Sequence, residues 1–280
     1  MPRIDLSVSV RLCEISANGV RLVVQVIERA VGQVIDFMHE NIGEQFTIDD
    51  MARTANYSKF HFSRAFLRVT GVSPGRFLAA IRLQEAKRLL VATSLTVTDI
   101  SHRVGYTSVG TFSSRFRSTV GVSPTTFRQS GGFTRHIPMA RRAVDARTAV
   151  VQGEITAPAG PPGLLFIGLF PDGIPQGSPI RCTVLRRPGS YLLTCVPPGT
   201  WHLLAQSVAL GHESMLGAGP FAHDLALSVA SHGPITVRPG QPVRDADLTL
   251  RPICHLDPPV LLALLDVRTH ALGASANAGG

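Results

Sequence analysis

The chain is short of the features that mark secreted or membrane proteins. Its four cysteines, Cys13, Cys182, Cys195 and Cys254, are few and far apart, with no Cys-x-x-Cys pair, which argues against a disulfide framework or a local zinc or redox motif. No secretory leader pattern precedes them, so reduced, partly buried thiols in a cytoplasmic protein are expected. Long apolar runs are also missing. Stretches such as Pro258 to Val267 fall well below the roughly 20 residues that cross a bilayer, and a soluble chain with no membrane partner is expected. Acidic residues are scarce in one region above all: between residues 46 and 130, Asp49, Asp50, Glu85 and Asp99 are the four acids set against twelve Lys and Arg. That local excess of eight equals the net charge of the whole chain, and the remaining 15 basic and 15 acidic residues balance. A positive field confined to one region suits a surface that neutralises phosphates, although a solvated basic face would carry the same charge.

What the chain does have is an internal duplication. Phe46-Thr-Ile-Asp-Asp-Met-Ala-Arg-Thr-Ala-Asn-Tyr-Ser58 returns as Leu95-Thr-Val-Thr-Asp-Ile-Ser-His-Arg-Val-Gly-Tyr-Thr107, and Gly71-Val-Ser-Pro74 returns as Gly121-Val-Ser-Pro124. The offset is 49 residues at the start and 50 at the end, which predicts one extra residue in the second copy near Val109 or Gly110. A doubled unit of this length is too short for a folded enzyme domain and suits a pair of DNA-reading modules.

Each copy reads as helix, turn, helix. Thr47 and Thr96 stand three residues ahead of Asp50 and Asp99, a near relative of the capping box, so helices are predicted from about Ile48 and Val97. Asn56 and Gly105 end them, being residue types that tolerate positive φ. Second helices follow over Phe60, Phe62, Phe66 and Val69, and over Phe112, Phe116 and Val120. Phe62, Phe66, Phe112 and Phe116 recur at helical spacing and are expected in the core. Gly followed by Val-Ser-Pro is a stop and restart signal. After Pro74 a helix of about 18 residues is predicted; its length of about 27 Å approaches the 34 Å between successive major grooves.

Upstream, apolar residues from Val23 to Met38 at steps of three and four predict a first helix from about Val20, preceded by an arm over residues 1–19. Residues 131–148 read as a linker. Beyond them the pattern changes to short strands over 149–156, 164–170, 180–186, 190–196, 200–207, 225–229, 235–237 and 247–250, punctuated by Pro-Gly turns, which indicates an antiparallel sandwich. The expected layout is therefore a multidomain α and β chain: an all-α seven-helix unit over 20–130, an all-β antiparallel sandwich over 149–268, and a flexible tail over 269–280.

Tyr106-Thr-Ser-Val-Gly-Thr-Phe-Ser-Ser-Arg-Phe-Arg-Ser-Thr-Val-Gly-Val-Ser-Pro-Thr-Thr-Phe-Arg128 resembles the signature of the AraC/XylS family of bacterial transcription regulators, and Asn56 to Phe66 with Gly71 to Pro74 is similar to its first half. The resemblance covers roughly residues 23–129. It implies two helix-turn-helix modules that enter adjacent major grooves of double-stranded promoter DNA, with reading helices over 58–69 and 108–120. Carried over by motif, the DNA-facing residues are Ser58, Lys59, Phe60, Ser63, Arg64 and Arg68 on the first, and Ser108, Val109, Gly110, Thr111, Ser114, Arg115 and Arg117 on the second. Arg64 can pair bidentately with guanine, a contact worth about 1–3 kcal/mol of discrimination, or meet phosphate alone. Its counterpart is Ser114, which cannot fork onto guanine, so the first module is expected to discriminate and the second to anchor through Arg115 and Arg117. Most members of the family place a sensing domain ahead of the DNA-binding unit, whereas here about 130 residues follow it. That C-terminal half, on Gly189 to Ala205 and Ile235 to Leu250, resembles the transthyretin-like or carboxypeptidase-regulatory-like sandwich. The family implies no cofactor.

Two rival readings stand beside this one. An enzyme would need a site among His202, His212, His223, His232, His255 and the C-terminal cysteines, but none has a recurrent metal spacing or a nucleophile turn. The other rival is a constitutive or architectural DNA binder whose sandwich only dimerises or contacts a partner such as RNA polymerase, instead of sensing a small-molecule effector. A pocket around Tyr191 and Trp201 would favour sensing, and a flat apolar face would favour assembly.

Overall fold

The computed structural model describes residues 6–134, 148–157, 163–209, 227–262 and 264–265. Seven helices come first among them: α1 (Leu6–Glu40), α2 (Ile48–Thr54), α3 (Lys59–Thr70), α4 (Pro74–Ala92), α5 (Val97–Arg103), α6 (Val109–Val120) and α7 (Pro124–Gln129). The local signals explain their bounds. Thr47 and Thr96 each close a full capping box with the Asp three residues on. Asn56 and Gly105 take φ of 55° and 81° in the turns, and Gly71 and Gly121 cap α3 and α6 in the left-handed region. Pro74 and Pro124 open the next helices. α4 has 19 residues, a span of about 28 Å.

Two expectations for this unit are corrected. α1 begins at Leu6, so residues 6–19 belong to a 35-residue helix and not to a loose arm; residues 1–5 lie outside the described residues. Leu6, Val8, Val10 and Leu12 alternate with polar or small residues, a two-residue rhythm that masks the helix. The extra residue of the second copy also lies earlier than Val109. Tyr57 and Tyr106 are equivalent, donating to Ala52 O and Ser101 O at 2.9 Å each, while the caps that follow are Ser58 and Ser108. The insertion is thus in the turn, at Thr107, and the reading helices themselves match at 12 residues each.

The helices share one core. Phe62, Phe66, Phe112 and Phe116 are all at 1% exposure or less, as expected, and their rings pack edge-on or tilted in chains that reach Phe77 and Phe127. Arg82 ties the modules together by donating to Ile42 O and Glu44 O, and Gln45 donates to Gly105 O at 2.8 Å.

The C-terminal part is β-rich, with two main sheets. β1 (Phe133–Thr134) and β10 (Leu264–Leu265) form a small parallel ribbon, and residues 135–147, most of the expected linker, lie outside the described residues. β2 (Ala149–Thr156), β3 (Leu165–Phe170), β4 (Arg181–Leu185), β5 (Gly189–Val196), β6 (Gly199–Val208), β7 (Leu227–Val237), β8 (Leu248–Thr249) and β9 (Arg251–Pro252) follow. One sheet has the order β5-β2-β8 and the other β4-β3-β6-β7-β9. The chain crosses between them at Leu250. Val151, Ile155, Tyr191, Leu193 and Leu248 of the first sheet and Leu165, Ile167, Leu169, Leu203 and Ile235 of the second bury into a common core. Within the two main sheets the strands pair antiparallel except that β2 and β8 run parallel, which departs from a purely antiparallel arrangement. The strands expected over 225–229 and 235–237 are one strand, β7, with a register shift opposite Trp201–Leu203 that accommodates Gly233-Pro234. Residues 158–162, 210–226 and 266–280, and with them the expected tail, lie outside the described residues.

The two parts are stitched together. Ile174 and Leu261 of the C-terminal part are 1% and 0% exposed within the helical core, each burial worth about 1.5–3 kcal/mol. The loop between β3 and β4 does most of the joining. Arg76 of α4 grips Asp172 with two bonds of 2.5 and 2.6 Å, and the Gly177 N–H donates to Thr119 O of α6 at 2.6 Å. Gly177 has φ +68°, a conformation that glycine adopts without strain. On the far side Lys87 Nζ donates to Val260 O at 2.9 Å.

Candidate nucleic-acid interface

α3 turns a cationic and apolar face outward. Lys59, Arg64 and Arg68 are exposed, Ser63 is half-buried, and Phe60 is 80% exposed, a degree unusual for phenylalanine in a folded domain. The hydroxyl of Ser58, at the N-cap, makes no capping bond. Lys59 Nζ lies 3.0 Å from Asp49 Oδ2, so part of its charge is already answered, whereas no ion pair is recorded for Arg64 or Arg68 among the described residues. Leu67, half exposed on the same face, is an addition that sequence reasoning missed; its spacing from Phe60 and Arg64 was the available signal.

α6 repeats the scaffold with a different surface. Gly110, Thr111, Ser114 and Arg117 are exposed, and Val109 is half-buried. Ser108 is the N-cap and its hydroxyl accepts from Thr111 N at 3.4 Å, which occupies it within the helix. Ser114 and Arg117 border an open concavity that Ser178 of the C-terminal part also lines. Arg115 does not join this face. It lines a separate cavity between α4, α6 and the β3–β4 loop, beside Arg76 and Asp172. Of the thirteen residues expected at the interface, Ser58, Lys59, Phe60, Arg64 and Arg68 on the first module and Ser108, Gly110, Thr111, Ser114, Arg115 and Arg117 on the second are exposed, Arg115 on the side towards the seam, and Ser63 and Val109 are half-buried.

The electrostatics follow the geometry. Backbone and hydroxyl hydrogen bonds from Thr47 hold the Asp50 carboxyl below its ordinary value, and those from Thr96 do the same for Asp99. Asp50 and Asp99 therefore stay ionised as caps. At the seam, the Arg76 guanidinium keeps Asp172 ionised and is itself raised by that partner.

A family profile described as a helix-turn-helix domain matches residues 51–130. The lactose operon transcription activator of Staphylococcus xylosus is 30% identical over 105 residues, 38% of each chain. The transposon Tn10 TetD protein of Escherichia coli is 30% identical over 100 residues, 36% of this chain and 72% of that one. The chain belongs to the AraC/XylS family of transcription regulators. Among solved structures, the DNA-binding domain of AdpA in complex with a target DNA is 30% identical, covering 36% of this chain and 90% of that one with a TM-score of 0.35. The profile match falls on the helical unit, and the chain spans well under half the length of the lactose operon activator. Within the AraC/XylS frame, α2–α3 and α5–α6 are the two helix-turn-helix modules. No described helix is long and apolar enough to cross a membrane.

Proposed function

We propose that the protein is a sequence-specific, DNA-binding transcription regulator, not an enzyme, that works in the cytoplasm on double-stranded promoter DNA. The observation that carries this reading is the pair of matched 12-residue helices, α3 and α6, each presenting an exposed arginine, Arg64 and Arg117, and joined by the 19-residue α4. α3 supplies discrimination, with Arg64 on guanine edges and Phe60 against a thymine methyl. α6 supplies anchoring, with Arg117 on phosphate and small residues that let the backbone approach. The C-terminal part is a β-sandwich that serves as a sensing or contact module, RNA polymerase being one candidate partner. Its Tyr191 and Trp201 are committed to packing: the Tyr191 hydroxyl donates to Ala246 O and the Trp201 indole N–H to Pro197 O at 3.0 Å. That supports placing any effector elsewhere than between the sheets.

The test is selection of genomic fragments by the purified protein at two salt concentrations. A bipartite motif with half-sites about one helical turn apart is expected. Salt-sensitive binding that enriches no motif would reduce the helical unit to a general DNA anchor.

A further inference from the structure

The seam between the two parts borders a half-open cavity of about 340 Å³, within the range of small-molecule sites. Its polar lining is unbalanced. Arg76 and Arg115 contribute two guanidinium groups and Asp172 one carboxylate, with Ser118, Gln176 and Ser178 as neutral hydrogen-bonding groups. Asp172 occupies one N–H on each terminal nitrogen of Arg76, which leaves three of the five guanidinium donors unused by that pair. Arg115 has no carboxylate partner among the described residues, although it stands on the side of α6 turned to the seam and not on the reading face. An arginine spared from both an ion pair and the reading face, next to a second with donors to spare, makes a site for a planar or tetrahedral oxyanion.

We propose that this cavity binds a small organic anion, one carrying a carboxylate or a phosphate, held by Arg115 and the free donors of Arg76. The ligand touches three bodies at once. Arg76 opens the helix that follows the first reading helix, Arg115 and Ser118 ride on the second, and Gln176 and Ser178 belong to the C-terminal part. Occupancy therefore couples the C-terminal part to the reading helices, and DNA and ligand change one another's affinity by the same factor.

The test is calorimetric titration of the full-length protein, without DNA, with inorganic phosphate, glucose 6-phosphate and benzoate, each beside a neutral analogue where one exists (glucose, benzamide). At least one anion is expected to saturate one site per chain at millimolar levels or below, with the neutral analogues inert. The carboxylate and phosphate arms separate the two ligand classes. Arg115→Gln should weaken that binding about tenfold or more, the scale of a lost charge-assisted hydrogen bond. Asp172→Asn should strengthen it severalfold, because it removes the competing carboxylate and keeps the side-chain shape. Arg103→Gln removes the same charge from exposed α5 and should leave the titration unchanged. The proposal is overturned if no anion saturates, if Arg115→Gln binds like wild type, or if Arg103→Gln loses as much as Arg115→Gln. Because DNA is absent from this experiment, failure here leaves the DNA-reading role intact, and failure to select a motif leaves this one intact.

Discussion

α2–α3 and α5–α6 are the same structure with two different surfaces. Both begin with a Thr–Asp capping box, both turn through a residue of positive φ, both bury a Phe pair and both stop at a left-handed glycine. Outward, α3 carries Lys59, Phe60, Arg64, Leu67 and Arg68, where α6 carries Val109, Gly110, Ser114, Arg117 and Ser118. The duplication has thus kept the Thr–Asp caps, the phenylalanine pair and the closing glycine, varied other buried positions such as Met51/Ile100 and Ala55/Val104, and replaced most of the residues whose job is contact. Folding constraints act through burial and caps, which tolerate little change, whereas an exposed helix face costs almost nothing to rewrite. The second module also takes a backbone hydrogen bond from the C-terminal part, Gly177 N–H to Thr119 O.

The interior equivalence makes the largest prediction. Phe66→Ala and Phe116→Ala should each cost about 3–5 kcal/mol, read as the shift in denaturant midpoint of the full chain. A large gap between the two would show that the modules are not equally built into the one core.

The asymmetry at the seam comes next. Lys87 holds its ammonium against Val260 O and 5.9 Å from the Phe127 ring centre, and burial pushes its pKa down from 10.5 to about 7. The unfolded chain therefore binds a proton there that the folded chain sheds between about pH 7 and pH 10.5. Stability should rise with pH across that window, and the full penalty should be present below it. Lys87→Met removes the titration. Relative to wild type it should gain stability below pH 7 on the order of 3 kcal/mol, and that gain should shrink towards pH 10. Thermal unfolding of both proteins at several pH values checks this. A constant difference would mean that Lys87 stays charged in the folded protein.

Much of this comparison was open to reading from the residues alone. Caps, stops and the helical rhythm of the phenylalanines are local signals, so α2 to α7 were placed within a residue or two, and β2 coincides with its expected span. Where rhythm misleads, the reading failed: the alternation of Leu6, Val8, Val10 and Leu12 hid the start of α1, and the expected break between the strands over 225–229 and 235–237 falls inside what is one strand, β7. The seam left no trace in the sequence. Arg76 and Asp172 are 96 residues apart, and Lys87 and Val260 are 173 apart, so neither carries a local mark of its partner. Arg115 also lines that seam. Its place on the helix was legible, but the loop that meets it was not.

On the reading faces, Arg64→Ala should lower discrimination at one or two base pairs by about 1–3 kcal/mol, measured by competition between the selected site and single-base variants. Ser114→Ala, its counterpart, should change discrimination by much less. Equal losses of Arg64→Ala on specific and random DNA would make Arg64 a phosphate contact and erase the division of labour between the modules.

Arg117→Ala should have the smallest effect and the most diagnostic form. A side chain that meets phosphate and no base contributes equally to every sequence, so its loss should weaken selected and random DNA by the same factor. It should also reduce the slope of log affinity against log salt by about 0.9, the release expected for one phosphate contact. Arg64→Ala on the first module should leave that slope nearly unchanged while altering base preference. If Arg117→Ala instead shifted base preference at the second half-site, α6 would be reading sequence with its longest exposed side chain, and the contrast between the modules would lie in which bases they choose, with both of them discriminating.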